Sequence, residues 1–382
     1  MHRPDRRDFL KAASLAAGAT LVQSQSELLA AGEGISVGIM TEPNGAHLNW
    51  YLSSLARCEG VRRVAIADAS GENFAAAAQS LGSRFGNVGT FRDHRRMIET
   101  VRPELALVTL EPVNSPKPIE LALESNCHVL TEKPACVRLE DFERIAKTAS
   151  GKHRHLMLAL CNRNSPIARK AKELVETGAI GKVFGANIHL IADQTRLKKP
   201  EYHRLWRASK ARAGGGILIW LGIHYLDLAE YICGNRAREI CAFYGNVGGQ
   251  PLDTEDAAAV AIKFDDGSMG TMEAGYYLDR GYQSQFAFWG SKGWIRFHLT
   301  ENQPMEWQST AAGAPKGVQT FADTSGFMVN GDNQYYPFVQ SAVNAARGVE
   351  AAPISTEQGL HVVRAIFGAY RAADTGAAQK IV

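Results

Sequence analysis

Neither sign of charge is in excess in this 382-residue chain: 42 Lys and Arg face 39 Asp and Glu, for a formal net charge of +3. That balance excludes the basic footprint of a nucleic-acid binder and leaves small molecules as the expected partners. Cysteine is scarce. The six present, Cys58, Cys127, Cys136, Cys161, Cys233 and Cys241, form no C-x-x-C pair and no metal-ligand spacing, so they read as small buried hydrophobes. No internal repeat or low-complexity block appears, which sets aside repeat arrays. A membrane span needs on the order of 18 apolar residues. The early apolar run after Lys11 soon meets Gln23, Ser24, Gln25, Ser26 and Glu27, so no span is expected.

What is present starts with an ordered leader. In "DRRDFLKAASLAAGATLV", Arg6 and Arg7 precede Phe9, Leu10 and Lys11 and then an Ala/Leu-rich run. Residues 1–31 read as a twin-arginine signal with cleavage near Ala30 to Gly32, and the expected destination is the periplasm or another exported location. That route carries proteins already folded in a reducing compartment, so no disulfide framework is required.

The remaining length is too great for one typical core, and two domains are expected. From Ile35 to about residue 155, short β-branched runs alternate with helical stretches: "ISVGIM", "HLNWYLSSLARC", "VRRVAIAD", "NFAAAAQSLGSRF", "LALVTLE", "PIELALES", "HVLTEKP" and "LEDFERIAKTAS". Such alternation predicts an α/β doubly wound parallel sheet, whose ligands bind at the carboxyl ends of the strands. Asp68 ends the second strand at the spacing where an acid accepts hydrogen bonds from an adenosine ribose and repels a 2'-phosphate. A turn or helix-capping role is the alternative for such a residue.

Several segments together resemble the Gfo/Idh/MocA family, named for glucose-fructose oxidoreductase and inositol dehydrogenase. They are the E-K-P of "HVLTEKPACV", then "NRNSP", "ETGAIGKVFGANIHLI", "AGGGILIWLGIHYLDL", "EDAAAVAIKFDDGSMGTMEA", "FWGSKGWI" and "ISTEQGLHVVRAIFGAYRAADTG", in one order. The resemblance implies a Rossmann domain over 35–155 and a substrate-binding α/β domain over 156–382 with a large, open, mostly antiparallel sheet. It also implies hydride transfer at a sugar or polyol carbon, a nicotinamide cofactor and a homo-oligomer; Asp68 makes NAD the expected cofactor in preference to NADP. Lys133 would stand beside the nicotinamide and the reacting hydroxyl, where a lysine of depressed pKa can accept its proton. Glu132 and Lys133 would also touch the cofactor.

The phosphate loop departs from the pattern. In "GIMTEPNGAHLNWYL", Thr41, Pro43 and Ala46 stand at the three glycine positions of G-x-G-x-x-G. Pro43 lacks the N–H and bare backbone of the second glycine. A rebuilt loop is expected, with Thr41, Asn44, Gly45 and Ala46 at the phosphates on a helix N-terminus and His47 as a further donor.

In the second half, "GGGILIWLGIHYLDLAEYICG" reads as one helix. Trp220, His224 and Asp227 share a face at i, i+4 and i+7. The family usually has an Asp where Trp220 stands. A Trp relays no proton, although its indole suits the apolar face of a pyranose, and His224 then shares proton handling with Lys133. Arg163, Trp206, Arg207, Trp220, His224 and Asp227 are the expected substrate contacts. A metal site is not expected. If one existed, His189 and Asp193, on one face of a strand, would join His224.

These features support an exported NAD-dependent oxidoreductase of carbohydrates or cyclic polyols. Two further readings stay open: redox-assisted cleavage of a glycoside with retained NAD, and a non-redox sugar binder with a degenerate site.

Overall fold

A computed structural model describes residues 34–43, 45–300, 303–329 and 331–382. The twin-arginine segment and Asn44 lie outside them.

The first sheet has six parallel strands in the order β3-β2-β1-β4-β5-β6: β1 Ile35–Thr41, β2 Val61–Ala67, β3 Gly89–Phe91, β4 Leu105–Thr109, β5 His128–Thr131 and β6 Leu156–Leu158. Every residue of β1 and β4 is buried, as expected of parallel strands covered by helices on both faces. Those helices are α1 Leu48–Arg57, α2 Phe74–Phe85, α3 His94–Val101, α4 Pro116–Glu124 and α5 Leu139–Gly151. The strand order reverses between β1 and β4, and this opens the crevice where such sheets take their ligands.

The chain leaves through α6, Pro166–Glu176, into a nine-stranded sheet ordered β14-β13-β12-β11-β7-β10-β9-β8-β15. It contains β7 Val183–Asp193, β8 Ala237–Gly245, β9 Ala257–Phe264, β10 Met269–Leu278, β11 Gln283–Gly290, β12 Gly293–His298, β13 Met305–Ser309, β14 Gln319–Phe321 and β15 Gln379–Lys380. Only β7 and β10 pair in parallel, so the sheet is mixed and mostly antiparallel. The Gly-, Ala-, Ser- and Thr-rich segment that follows β13 carries β14 within it.

The two sheets are stitched by α7 Ile223–Cys233, α8 Asp332–Ala346 and α9 Thr356–Thr375. Helix α8 returns from the second domain to pack on α1, and α9 packs on α5, β6 and β8. Helix α9 starts from a full capping box, with the Ser355 hydroxyl on the Gln358 N–H and the Gln358 side chain on the Ser355 N–H. The run expected as one helix around Trp220 opens with a π-helical turn, Leu218–Gly222, before α7 begins. Among the described residues, 210–233 is the one helical stretch long and apolar enough to cross a membrane, and it is mostly buried in the molecule.

The reason the run begins where it does lies in Glu255. Its carboxylate accepts the N–H groups of Gly216 at 2.6 Å and Leu218 at 3.0 Å, and the Tyr370 hydroxyl at 2.7 Å. A side chain at Gly216 would lie 1.9 Å from the Glu255 carbonyl oxygen, so the glycine is required by close approach.

Candidate active site

The carboxyl ends of β1, β4 and β5 face the π-helical turn and α7 across a cavity of about 340 Å³. Its lining includes His47 and Trp50 from α1 and its cap, Lys133 after β5, Trp220 and His224, and Tyr335 from α8. Buried polar atoms rarely lack a hydrogen bond, yet three here make none: His224 Nδ1 in the lining, Glu132 Oε1 next to Lys133, and Trp206 Nε1 on the indole packed against Trp220.

Lys133 is 2% exposed. Its Nζ donates to the Trp220 carbonyl at 2.7 Å and sits 3.4 Å from the centre of the Trp220 ring. Burial brings the ammonium down from its usual range to about 7; Glu132 opposes the fall, and Arg207 adds to it. The lysine is therefore poised to exchange a proton near neutrality. His224 is pushed well below the ordinary imidazole value, first by burial and then by Lys133, so it is a neutral ring. Glu132 stays an anion. Burial alone would raise its carboxyl, but His47, Lys133 and the Tyr51 hydroxyl, which donates to Oε2 at 2.6 Å, together hold it below the usual range.

The loop after β1 is tied inward rather than left open. The Thr41 hydroxyl donates to the Thr109 carbonyl at 3.1 Å, and the Thr109 hydroxyl donates to the Ala46 carbonyl at 2.5 Å. A Cβ at Gly45 would meet Thr41 Oγ1 at 2.4 Å and the Thr109 carbonyl at 2.6 Å, so only glycine fits there. Glu42 crosses the β1/β4 crevice to accept from the Glu111 N–H at 2.5 Å and from Asn114 at 2.9 Å. Arg212, from the second domain, pairs with Glu111.

These contacts revise several expectations. The Thr41 hydroxyl, expected at the phosphates, is donated to the Thr109 carbonyl of β4. Asp68 is fully buried, and each oxygen has two local donors, Ser70 N–H and hydroxyl on one, Asn73 N–H and side-chain amide on the other. It keeps its charge, since those bonds outweigh the effect of burial, but its acceptor positions are filled by its own turn. His47 caps α1 in a left-handed conformation, φ 61. Its ring lies against Trp50, and Nδ1 is 2.7 Å from the Tyr335 hydroxyl.

Arg163 and Asp227 do not line the cavity. They form a bidentate ion pair, 2.9 and 2.6 Å, in which Asp227 is fully buried. The i+7 spacing did put Asp227 on the helix, but Arg163 after β6 is the complementary fork it meets. His189 and Asp193 lie on the outer face of β7, where His189 approaches Glu273 at 3.5 Å and Asp193 caps Thr195. His224 is on the inner side, so strand alternation separates the three. No group of three or more His, Cys, Asp and Glu able to hold a metal occurs among the described residues. Trp220, Arg207 and His224 all line the cavity, and Trp206 packs edge-on against Trp220 at 4.9 Å. Trp50, Arg196, Tyr282 and Tyr335 also line it and were not singled out in the sequence. For Trp50 a signal existed, its i+3 spacing from His47; the others arrive from distant segments and carry none.

A dinucleotide fits this site at one end more evidently than at the other. Glu132 Oε1, buried without a hydrogen bond and 4.0 Å from Lys133 Nζ, is an acceptor suited to the N–H of a carboxamide. At the phosphate end, the start of α1 after Ala46 offers backbone N–H groups, while Glu42 and Glu111 oppose a pyrophosphate and only Arg212 offsets them.

Residues 18–160 match the profile described as oxidoreductase family, NAD-binding Rossmann fold, and residues 168–296 match the Gfo/Idh/MocA C-terminal domain. The D-glucoside 3-dehydrogenase of Escherichia coli K12 is 23% identical over 323 residues, covering 78% of this chain and 85% of the relative. The levoglucosan dehydrogenase of Pseudarthrobacter phenanthrenivorans is 26% identical over 271 residues, 64% of this chain and 67% of that one. Among solved structures, levoglucosan dehydrogenase in complex with NADH and levoglucosan superposes with a TM-score of 0.80 at 20% identity, covering 92% of this chain and 100% of the other. An oxidoreductase domain protein from Kribbella flavida does so at 0.79 and 22%, with the same coverage. With both of its domains matched, and an NAD-binding first domain, the chain belongs to the Gfo/Idh/MocA family of oxidoreductases.

Proposed function

We propose that the protein oxidises a secondary alcohol carbon of a sugar, glycoside or cyclic polyol, with Lys133 as the group that takes the hydroxyl proton. One observation carries this reading: a fully buried lysine whose Nζ is brought to about 7 lies on the same cavity as a neutral histidine with a free Nδ1. Bound NAD supplies the hydride acceptor. Lys133, neutral above its pKa, accepts the proton at Nζ, and the Trp220 carbonyl and ring favour the ammonium that results. The neutral His224 ring in the lining hydrogen-bonds a hydroxyl and orients it, and Glu132 balances the lysine's charge. The Trp50 and Tyr335 rings in the lining offer apolar surface to the C–H side of a pyranose, while the Trp220 ring is taken up by Lys133 and Arg207. The named relatives acting on glucosides and levoglucosan agree with the substrate class. Mixing the NAD-loaded protein with a panel of glycosides and inositols and following NADH absorbance tests the reading; no reduction with any member, at saturating sugar, would overturn it.

The Arg6-Arg7-Asp8-Phe9-Leu10-Lys11 order supports export by the twin-arginine route. Retention of precursor in the cytoplasm by an Arg6→Lys, Arg7→Lys pair is the expected result, and unchanged fractionation would count against it. Free dinucleotide is scarce outside the cytoplasm, so an exported enzyme would leave already loaded. That supply argument favours a second reading, in which transient oxidation at one carbon assists cleavage of the glycoside and returns the cofactor unchanged. Self-association is supported by the outer face of the large sheet, where Phe243 is 81% exposed, Met269 68% and Trp289 50%.

A further inference from the structure

The cavity is lined by three cationic side chains, Lys133, Arg196 and Arg207, and among the described residues by no carboxylate. Lys133 sheds its charge near neutrality; the two arginines do not. Neither forms an ion pair among the described residues. Arg196 Nη2 donates to the Tyr282 hydroxyl at 3.0 Å, its Nε is buried without an acceptor, and its guanidinium lies 4.6 Å from the Tyr276 ring centre. Arg207 makes no side-chain hydrogen bond there and stacks on two indoles, 4.6 Å from the Trp206 ring centre and 4.8 Å from that of Trp220. Stacking occupies the faces of a guanidinium and leaves its in-plane donors to be used.

An unpaired charge taken from water is costly, and two that repel each other more so. A fold that only needed aromatic packing would be served as well by Leu or Met at these positions. The donors are also a fork, the shape that matches two oxygens of one oxyanion.

We propose that the substrate is an anionic sugar, one whose carboxylate, sulfate or phosphate ester is bound by Arg196 and Arg207 while the reacting alcohol lies at Lys133. This rests on the oxidoreductase reading and narrows it. The anion belongs to the sugar and not to the dinucleotide, because Arg196 and its partner Tyr282 come from the second domain, whereas the backbone donors suited to a pyrophosphate start α1. An uncharged sugar leaves both guanidiniums unpaired in a confined space; a charged one relieves them, which gives selectivity through the difference.

The test uses the full chain loaded with NAD and matched ligands: methyl β-D-glucoside, methyl β-D-glucuronide, glucose 6-sulfate and glucose 6-phosphate. Calorimetry reads binding, and NADH absorbance reads turnover. At least one anionic member should bind about tenfold or more tighter than the neutral glycoside, the value expected of a hydrogen bond to a charged group. That ratio should fall to near unity in Arg196→Gln and Arg207→Gln, with lysine substitutions keeping part of it if the glutamine variants fold poorly. Equal binding of neutral and anionic members by the wild type would overturn the proposal, as would a ratio that survives both substitutions. So would a loss of NAD affinity with the sugar ratio unchanged, since the arginines would then serve the cofactor's phosphates. Selective binding of an anion without any NAD reduction would refute hydride transfer and keep the anion site; reduction by neutral sugars alone would do the reverse.

Discussion

Lys133 and Trp220 show what one substitution does to a proton-handling site. Where the resemblance would place a carboxylate beside the lysine, an indole stands, and it replaces an ion pair with a carbonyl acceptor and a π face. With no second carboxylate, burial governs, and Lys133 falls to about 7. Lys133→Met should lower kcat by about 10²–10⁴-fold, measured with saturating sugar, and leave the fold intact. The sign of the stability effect follows from linkage. The folded state binds fewer protons than the unfolded one between pH 7 and the ordinary lysine value of 10.5, so this residue's contribution makes stability rise with pH across that window. Below it the buried ammonium is a full penalty, and thermal melting at pH 7 should show the Met variant more stable than the wild type. Asp68 makes a contrasting case. Four donors converge on it, so Asp68→Ala should cost about 1–3 kcal/mol in denaturant unfolding with less than about twofold change in the NAD to NADP preference; a switch toward NADP would return it to ribose recognition.

At the scale of elements, the pocket helix and the phosphate loop depend on single anchoring residues. Glu255 holds the N–H groups of Gly216 and Leu218, and burial raises its carboxyl, opposed by the Tyr370 hydroxyl and these N–H bonds. Glu255→Ala should destabilise by about 1–3 kcal/mol and raise KM through the loosened π-turn, measured by unfolding and by steady-state kinetics. Glu42 opposes the charge of a pyrophosphate, so Glu42→Gln should tighten NAD binding several-fold, about 1 kcal/mol, in a fluorescence titration. How much of this the sequence displayed depended on distance along the chain. Strands such as "ISVGIM" and "LALVTLE" were legible because both faces are buried and their runs are continuous. Lys133, Trp220 and His224 were legible through spacing and through the E-K-P and Gly-run motifs. The pairing of Arg163 with Asp227 was not, since 64 residues separate them. Nor was the closing of the β1 loop by Thr109, or the arrival of Tyr335 beside His47, 288 residues away, because local pattern carries no information on which distant segment packs there. The π-turn escaped because apolar spacing cannot distinguish one extra residue in a turn.

For the whole molecule, the site exists only because the chain crosses between domains and comes back. Helix α8 seats Tyr335 against α1, α9 supports the base of the first domain, and the outer face of the large sheet is left with Met269 and Trp289 in register on either side of Gly185. If that face joins copies of the chain, Phe243→Glu should shift the mass by light scattering toward the monomer without touching the cavity, and an unchanged mass would place the interface elsewhere. The account as a whole turns on Lys133 as a base poised near neutrality. Its most direct test is the pH dependence of kcat/KM for an oxidised sugar whose own groups do not titrate near neutrality. The profile should rise with pH, bend at about 7 and level off above, while any residual activity of Lys133→Met shows no such bend. A wild-type profile that stays flat through pH 7, or the same bend in Lys133→Met, would contradict it.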